Sequence, residues 1–284
     1  MKFCIVGTGR SGTTLLYRMM NTHPGIFVFN ETHWLPVLHE YFGPCRTETA
    51  LLLDVVARTR HVTGQPTTVF DAGAFRQHCA LPDEMTVREF CDALGGYFAG
   101  LEGKPAWADK TPDYGFFTPV LQQYWPECRI IHLLRDGAAA ARSMSRHIGY
   151  RALAGLKRQN WAHAALDFQC PADGFPDGAL KSYVDLWYYR LLRTRVAAER
   201  LAPGSYMEVR FEDLVSDPAA CLREIAGFAG LAPEAGWLEQ AAGMVDRNRL
   251  ANQPPPGDIL ARFAPRHLQL LDELGYPSVR PGAS

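Results

Sequence analysis

The chain has 284 residues, of which 47% are hydrophobic and 21% charged, with a formal net charge of −1. That length buries a sizeable core as one large domain, and the balanced charge excludes the broad basic face that non-specific nucleic-acid or membrane-surface binding needs. Any anion site must therefore be built locally. The seven cysteines (Cys4, Cys45, Cys79, Cys91, Cys128, Cys170 and Cys221) are odd in number, irregularly spaced and lack a C-x-x-C pair, which speaks against a disulfide framework or a thiolate zinc site. No apolar run approaches the length of a membrane span, and FCIV is too short for a signal-peptide core. A soluble, cytoplasmic protein with no transmembrane segment and no nucleic-acid partner is expected.

KFCIVG reads as a buried strand that runs into a glycine-rich turn. SGTTLLYRMMNT follows with Leu15, Leu16, Met19 and Met20 at helical spacing, HPG stops it, and IFVFN is a second buried strand. Residues 2–30 thus form one β-α-β unit. Residues 31–103 are mostly helical, through HWLPVLHEYF, TALLLDVVARTRHV and TVREFCDALGGYFAGL. KPAWADKTPDYG is a strand leading into a turn-rich loop, PVLQQYW a helix, CRIIHLLRDG a strong strand and AAAARSMSRHI an alanine-rich helix. FQCPADGFPDG, within residues 150–180, is irregular and a candidate lid or acceptor loop. KSYVDLWYYRLLRTRVAAERL is a long helix, SYMEVRFEDLV a strand, and DPAACLREIAGFAGL a helix ended by Gly230; the rest is helical apart from NQPPPGD. The pattern predicts a single α/β domain over residues 1–284, a central parallel sheet flanked by helices, with helical insertions at about 31–103 and 150–180.

Residues 7–14, GTGRSGTT, carry the glycine spacing of a P-loop, G-x-x-x-x-G-K-[ST]. Thr13 stands where the P-loop lysine belongs, and the basic residue is Arg10, inside the loop. A glycine-rich turn between strand and helix lets backbone N–H groups approach an anion, and Thr13 and Thr14 add hydroxyls at the helix start. A P-loop lysine neutralises β/γ-phosphate charge beside Mg²⁺, so its absence disfavours ATP hydrolysis. In RDGAAAARS a strand delivers Arg135 to its C-terminal end, and Ser143 lies in the following helix with Arg142 and Arg146. Ligands of doubly wound sheets bind at that edge. Arg10 and Arg135 then share it, with Ser143 as an extra hydroxyl, unless Arg135 and Asp136 are merely a structural ion pair. Together the two motifs describe a nucleotide with two separated phosphates.

GTGRSGTTLL and RIIHLLRDGAAAARS, in that order, resemble the 5′- and 3′-phosphate-binding motifs of sulfotransferases that use 3′-phosphoadenosine-5′-phosphosulfate (PAPS). WADKTPDY is similar to the family's E/D-K-T/S-P loop, EVRFEDLVSDP to its late V-R-Y-E-D-L segment, and LLDELGYP to its C-terminal end. Arg10, ETHWLP, ADKTP and RDG-x5-S look more like the tyrosylprotein and bacterial branch than the cytosolic small-molecule branch, which has lysine in the loop. The resemblance implies a P-loop-containing nucleoside triphosphate hydrolase-like (sulfotransferase) fold and in-line transfer of the sulfuryl group from PAPS to a hydroxyl, releasing PAP.

It also implies roles. Gly9, Arg10, Ser11, Gly12, Thr13 and Thr14 would hold the 5′-phosphosulfate, and Arg135 and Ser143 the 3′-phosphate. Arg10 near the bridging oxygen and Lys110 near the sulfuryl oxygens would stabilise the transition state. A sulfuryl group carries less charge than a γ-phosphate, so side-chain cations can replace a metal, and none is expected. Glu31, just after the second strand, is the candidate base by resemblance to the tyrosylprotein branch, with His33 the alternative because the cytosolic branch uses histidine. His132 reads as a core histidine. Arg210 suits a nucleotide contact or an ion pair with Glu212 or Asp213, and Arg247 and Arg249 match a last 3′-phosphate contact only loosely. The acceptor is any hydroxyl of a small molecule, lipid, glycan or tyrosyl peptide. A P-loop NTPase or kinase and a non-catalytic nucleotide-binding module are the rival readings.

Overall fold

The computed structural model describes residues 1–162, 165–246 and 257–276. Its seven strands are β1 (Phe3–Gly7), β2 (Phe27–Asn30), β3 (Thr47–Glu48), β4 (Glu84–Met85), β5 (Trp107–Lys110), β6 (Arg129–Leu134) and β7 (Tyr206–Arg210). Five of them form a wholly parallel sheet in the order β2-β5-β1-β6-β7. A parallel sheet covered on both faces needs apolar residues on both, which is why β1 reads as a continuous apolar run. Phe3 and Ile5 pack with Leu16, Met19 and Ile131 on one side, and Cys4 and Val6 with Phe29, Trp34 and Trp107 on the other.

One face carries α1 (Thr13–Asn21), and the segment between β2 and β5 contributes α2 (Trp34–Phe42), α3 (Thr49–Arg58), α4 (Ala72–His78) and α5 (Val87–Leu101). The start of α5 is fixed by a capping box: Thr86 Oγ1 accepts from Glu89 N at 3.2 Å while Glu89 Oε2 accepts from Thr86 N at 2.8 Å. After β5 come a 3₁₀ turn (Pro112–Phe117), α6 (Thr118–Tyr124), and, beyond β6, α7 (Gly137–Ser145), α8 (Ile148–Gly155) and α9 (Leu180–Ala198). The chain continues through α10 (Phe211–Ser216), α11 (Pro218–Ala229), α12 (Ala235–Ala242), α13 (Gly257–Leu260) and α14 (Pro265–Glu273).

Three details differ from the sequence reading. The antiparallel pair β3–β4 and helix α4 lie inside the first insertion, where only longer helices were expected. The strand in SYMEVRFEDLV ends at Arg210, because FEDLVS turns at once into α10. Lys110 is the last residue of β5, fully buried, and not part of the loop that follows. Arg247, Arg249 and most of NQPPPGD lie outside the described residues. No helix among the described residues is long and apolar enough to cross a membrane.

The register sets Asn30 beside Lys110 and Gly7 beside Leu133. The chain leaves β1 toward β2 on one side and later adds β6 on the other, so the loops after β1, β2, β5 and β6 gather at one carboxyl edge around a switch point.

Candidate active site

The loop after β1 is a run of left-handed backbone: φ is 86° at Gly9, 54° at Arg10 and 92° at Gly12. A Cβ on Gly9 would stand 1.6 Å from the Tyr150 hydroxyl, and one on Gly12 would stand 2.2 Å from the Phe211 ring. Glycine is required at both positions for space as well as conformation. Gly12 caps α1 without any side-chain hydrogen bond, so no capping side chain competes for the first N–H groups of the helix. Ser11 is buried and its Oγ has no hydrogen-bond partner, while Thr13 is buried and Thr14 exposed. A buried hydroxyl beside open helix amides is the chemistry an anion completes.

Arg135 follows β6 directly. Its Nη1 donates to the Arg10 carbonyl at 2.8 Å, and its guanidinium lies 4.6 Å over the Phe211 ring. Arg10 Nε in turn donates to Ser143 Oγ at 3.0 Å. The two phosphate motifs, separated by more than a hundred residues, therefore meet in Arg10, Arg135 and Ser143. Burial depresses the Arg135 pKa; Glu212 opposes this and the neighbouring Arg10 adds to it. Asp136 serves as a helix cap, its Oδ1 accepting from Ala139 N at 2.7 Å, so its placement is explained by α7.

Across the edge, Lys110 Nζ donates to Glu31 Oε1 at 2.6 Å, and the Glu31 backbone N donates to the Lys110 carbonyl at 2.7 Å. The ammonium is buried whereas 36% of the Glu31 side chain stays exposed, so the pair faces outward through the carboxylate. Burial by itself would raise the Glu31 carboxyl. The Lys110 ammonium outweighs it, aided by His33, the hydrogen bond and His61, and holds it at about 2. Glu31 (φ 56°) and His33 (φ 58°) both adopt left-handed backbone, a cost of about 1–3 kcal/mol each for a side-chain-bearing residue. His33 is buried, with its pKa pushed down first by that burial; Nδ1 makes no hydrogen bond and lies 4.0 Å from Asp113 Oδ2.

Beside the pair opens a cleft of about 70 Å³ lined by Glu31, His61, Pro112, His147, Tyr150 and Trp161. Trp161 comes from the second insertion, but no residue of FQCPADGFPDG, the candidate lid or acceptor loop, lines the cleft. Ligand atoms of Glu31, His33 and His61 lie within 4.8 Å of one another, a donor set a divalent ion could use. The Lys110 ammonium already sits on that carboxylate, and its charge opposes a second cation there.

A model of the sulfotransferase family matches residues 3–235. The chain belongs to the sulfotransferase family. Among curated relatives, it is 30% identical over 123 residues to the omega-hydroxy-beta-dihydromenaquinone-9 sulfotransferase Stf3 of Mycobacterium tuberculosis, covering 43% of this chain and 28% of that protein. It is 33% identical over 141 residues to the nodulation protein NoeE of Sinorhizobium fredii, covering 49% and 30% of the two chains. A putative protein-tyrosine sulfotransferase of Caenorhabditis briggsae is 21% identical over 230 residues, 79% of this chain and 64% of that one. The chain thus spans less than a third of the length of the first two. In fold, it is similar to the sulfotransferase domain of the curacin biosynthetic pathway, with a TM-score of 0.55 at 16% identity over 97% of this chain and 98% of that one. The sulfotransferase domain of the Synechococcus PCC 7002 olefin synthase gives 0.51 at 18% over 97% and 94%. The sulfotransferase α/β fold expected from the motifs is the fold observed.

Within this member of the sulfotransferase family, sequence reading missed Arg190 and Asp113. Arg190 on α9 is fully buried; its Nε donates to the Thr8 carbonyl at 2.6 Å, Nη1 to the Gln159 carbonyl at 2.5 Å and Nη2 to Asp113 Oδ1. Asp113 Oδ2 also accepts from Trp161 N. One guanidinium thereby ties the glycine-rich loop after β1, the loop after β5 and the second insertion together. The available signal was its place in the buried stripe of α9, three residues after Trp187. His132 is a core residue on β6, 2.6 Å from the Tyr206 hydroxyl. Arg210 stacks 4.4 Å over Tyr276, whose hydroxyl donates to Glu212 at 2.7 Å. Trp187 is buried against Gly137, so it belongs to the core.

Proposed function

We propose that the chain moves the sulfuryl group of PAPS to an acceptor hydroxyl by in-line displacement, without a metal ion, and releases PAP. The observation that carries this is the Lys110–Glu31 pair at 2.6 Å, its carboxylate residue lining an open cleft, at the same sheet edge as the Arg10–Arg135–Ser143 cluster. The loop amides, Arg10, Ser11, Thr13 and Thr14 receive the 5′ end of the nucleotide, while Arg135 and Ser143 receive the 3′-phosphate. Lys110 is shared. In the resting pair it holds Glu31 at about 2, too acidic to take a proton from a hydroxyl. When Lys110 turns to the sulfuryl oxygens, Glu31 loses the charge that depressed it and becomes a base. The acceptor oxygen then forms its bond to sulfur as the bond to the 5′-phosphate oxygen breaks; the acceptor proton passes to Glu31, and the electron pair leaves with PAP. His33 is the alternative base; its poor exposure and unpaired, buried Nδ1 leave Glu31 the better placed of the two.

The cleft admits a hydroxyl-bearing end of a small molecule, glycan, lipid or tyrosyl side chain. Relatives are named for a dihydromenaquinone and for protein tyrosine. A cytoplasmic location fits seven cysteines that are all free.

Thermal stabilisation by PAP, ADP and ATP, each with and without Mg²⁺, tests the reading. A ligand at a hundred times its Kd contributes about 2.7 kcal/mol, a clear shift of the midpoint. Metal-independent stabilisation by PAP is expected. Stabilisation by ATP with Mg²⁺ alone would replace this account with the kinase reading.

A further inference from the structure

Between the two strained residues Glu31 and His33 stands Thr32, which is fully buried although polar. Its hydroxyl donates to Asp109 Oδ2 at 2.7 Å and lies 2.7 Å from the Tyr114 hydroxyl. Its backbone N donates to Thr111 Oγ1 at 2.9 Å. Tyr114 O accepts from Leu35 N, in the first turn of α2, at 3.1 Å. Each hydroxyl has one proton to give. The bonds therefore run one way: Leu35 N–H to Tyr114, Tyr114 O–H to Thr32, Thr32 O–H to the Asp109 carboxyl.

Asp109 and Thr111 are the two chain neighbours of Lys110. Side chains alternate along an extended strand, so holding Asp109 and Thr111 toward Thr32 turns Lys110 the other way, toward Glu31. Glu31 is itself the neighbour of Thr32. One buried residue thus fixes the orientation of both members of the ion pair, its hydroxyl through Asp109 and Tyr114 and its backbone N–H through Thr111. It also anchors a turn whose two left-handed residues would otherwise relax.

We propose that Thr32 is a positioning residue for sulfuryl transfer, its bonds to Asp109 and Tyr114 setting the directions in which Glu31 and Lys110 point. The inference rests on the roles given to Glu31 and Lys110 above. A displacement of about 1 Å at a reacting group can cost about a hundredfold in rate.

Thr32→Val keeps the shape and removes the hydroxyl; Thr32→Ser keeps the hydroxyl. PAP release from PAPS, with 2-naphthol as probe acceptor, is measured for the wild type, both variants and Glu31→Gln, together with PAP binding. Expected is a fall in kcat of about a hundredfold for Thr32→Val, with KM for PAPS and Kd for PAP within about twofold, and recovery to within about threefold in Thr32→Ser. Should Thr32→Val not fold, Tyr114→Phe breaks the same chain one bond away and is expected to lower kcat by about tenfold with PAP binding unchanged. Loss of turnover in Glu31→Gln but not in Thr32→Val or Tyr114→Phe overturns this inference alone. No PAP release from the wild type, or none lost in Glu31→Gln, overturns the reading on which it rests.

Discussion

Two cations are buried near the carboxyl edge of the sheet, and each meets one acid, yet the two pairs are built differently. Arg190 and Asp113 are both almost wholly enclosed, and Nε, Nη1 and Nη2 of the guanidinium each donate to a fixed acceptor, on Thr8, Gln159 and Asp113 in turn. Lys110 is equally buried, but its partner Glu31 keeps 36% of its side chain exposed at the cleft. A pair closed on all sides can only hold parts together. A pair closed on one side can exchange its partner for a substrate oxygen, and a strained turn beneath it keeps the exchange in register. On the proposed function, what separates the structural pair from the reacting one is enclosure, not charge.

The sharpest way to break that comparison is to remove each cation. Arg190→Ala leaves Asp113 buried without its partner and three backbone regions untied, so a loss of about 3–5 kcal/mol in unfolding free energy is expected in urea denaturation. A variant that unfolds at the wild-type midpoint would show that enclosure is not what distinguishes the pair. Lys110→Ala is expected to do the reverse: turnover falls by about 10²–10³-fold, as when one transition-state donor is removed, while PAP still raises the melting midpoint as in the wild type. Unchanged PAP release by Lys110→Ala would remove it from the reaction.

A smaller effect separates the two phosphates. Ser143→Ala deletes a hydroxyl that meets Arg10 Nε at 3.0 Å, and a hydrogen bond to a charged group contributes about 1.5 kcal/mol at the low end. Binding of PAP, by calorimetry, is expected to weaken about tenfold while ADP, which lacks a 3′-phosphate, is held as before. Equal weakening of both ligands would place Ser143 on the loop side of the site.

How much of this was legible in the sequence follows from how far apart the interacting residues lie. Apolar runs such as FCIV and RIIHLL declare buried parallel strands by themselves, and the glycines of GTGRSGTT declare a tight turn with close neighbours, which Tyr150 and Phe211 turn out to be. Glu31 and Lys110 could be named individually through the family resemblance, but their contact joins β2 to β5 across 79 residues and has no local signature. Arg190 was hidden for another reason: an arginine in a helix usually faces water, α9 also carries Arg193 and Arg195, and only its spacing from Trp187 marks Arg190 as interior. The end of β7 at Arg210 was blurred because VRFEDLV is apolar enough to extend a strand, while Glu212 and Asp213 favour the first turn of a helix.

The smallest expected effect tests the open pair through its pH dependence. Glu31 has its carboxyl held at about 2 against an ordinary value of 4.5, so its folded-state pKa lies below the unfolded one. Such a group contributes stability that is fully present above about pH 4.5 and is lost as pH falls toward 2. Because the carboxylate is partly exposed, solvent screening reduces that contribution well below the value its shift alone would suggest. The midpoint of thermal unfolding, followed from pH 6 down to pH 3, should therefore drop more steeply in the wild type than in Glu31→Gln. Asp109 is pushed up to about 7 by its burial despite bonds from Thr111 and Thr32; the Glu31 charge adds only the last and smallest contribution, so most of its titration is common to both proteins. Parallel curves would mean that Lys110 does not hold Glu31 in solution, and the proposed exchange of Lys110 from carboxylate to sulfuryl group would lose its starting point.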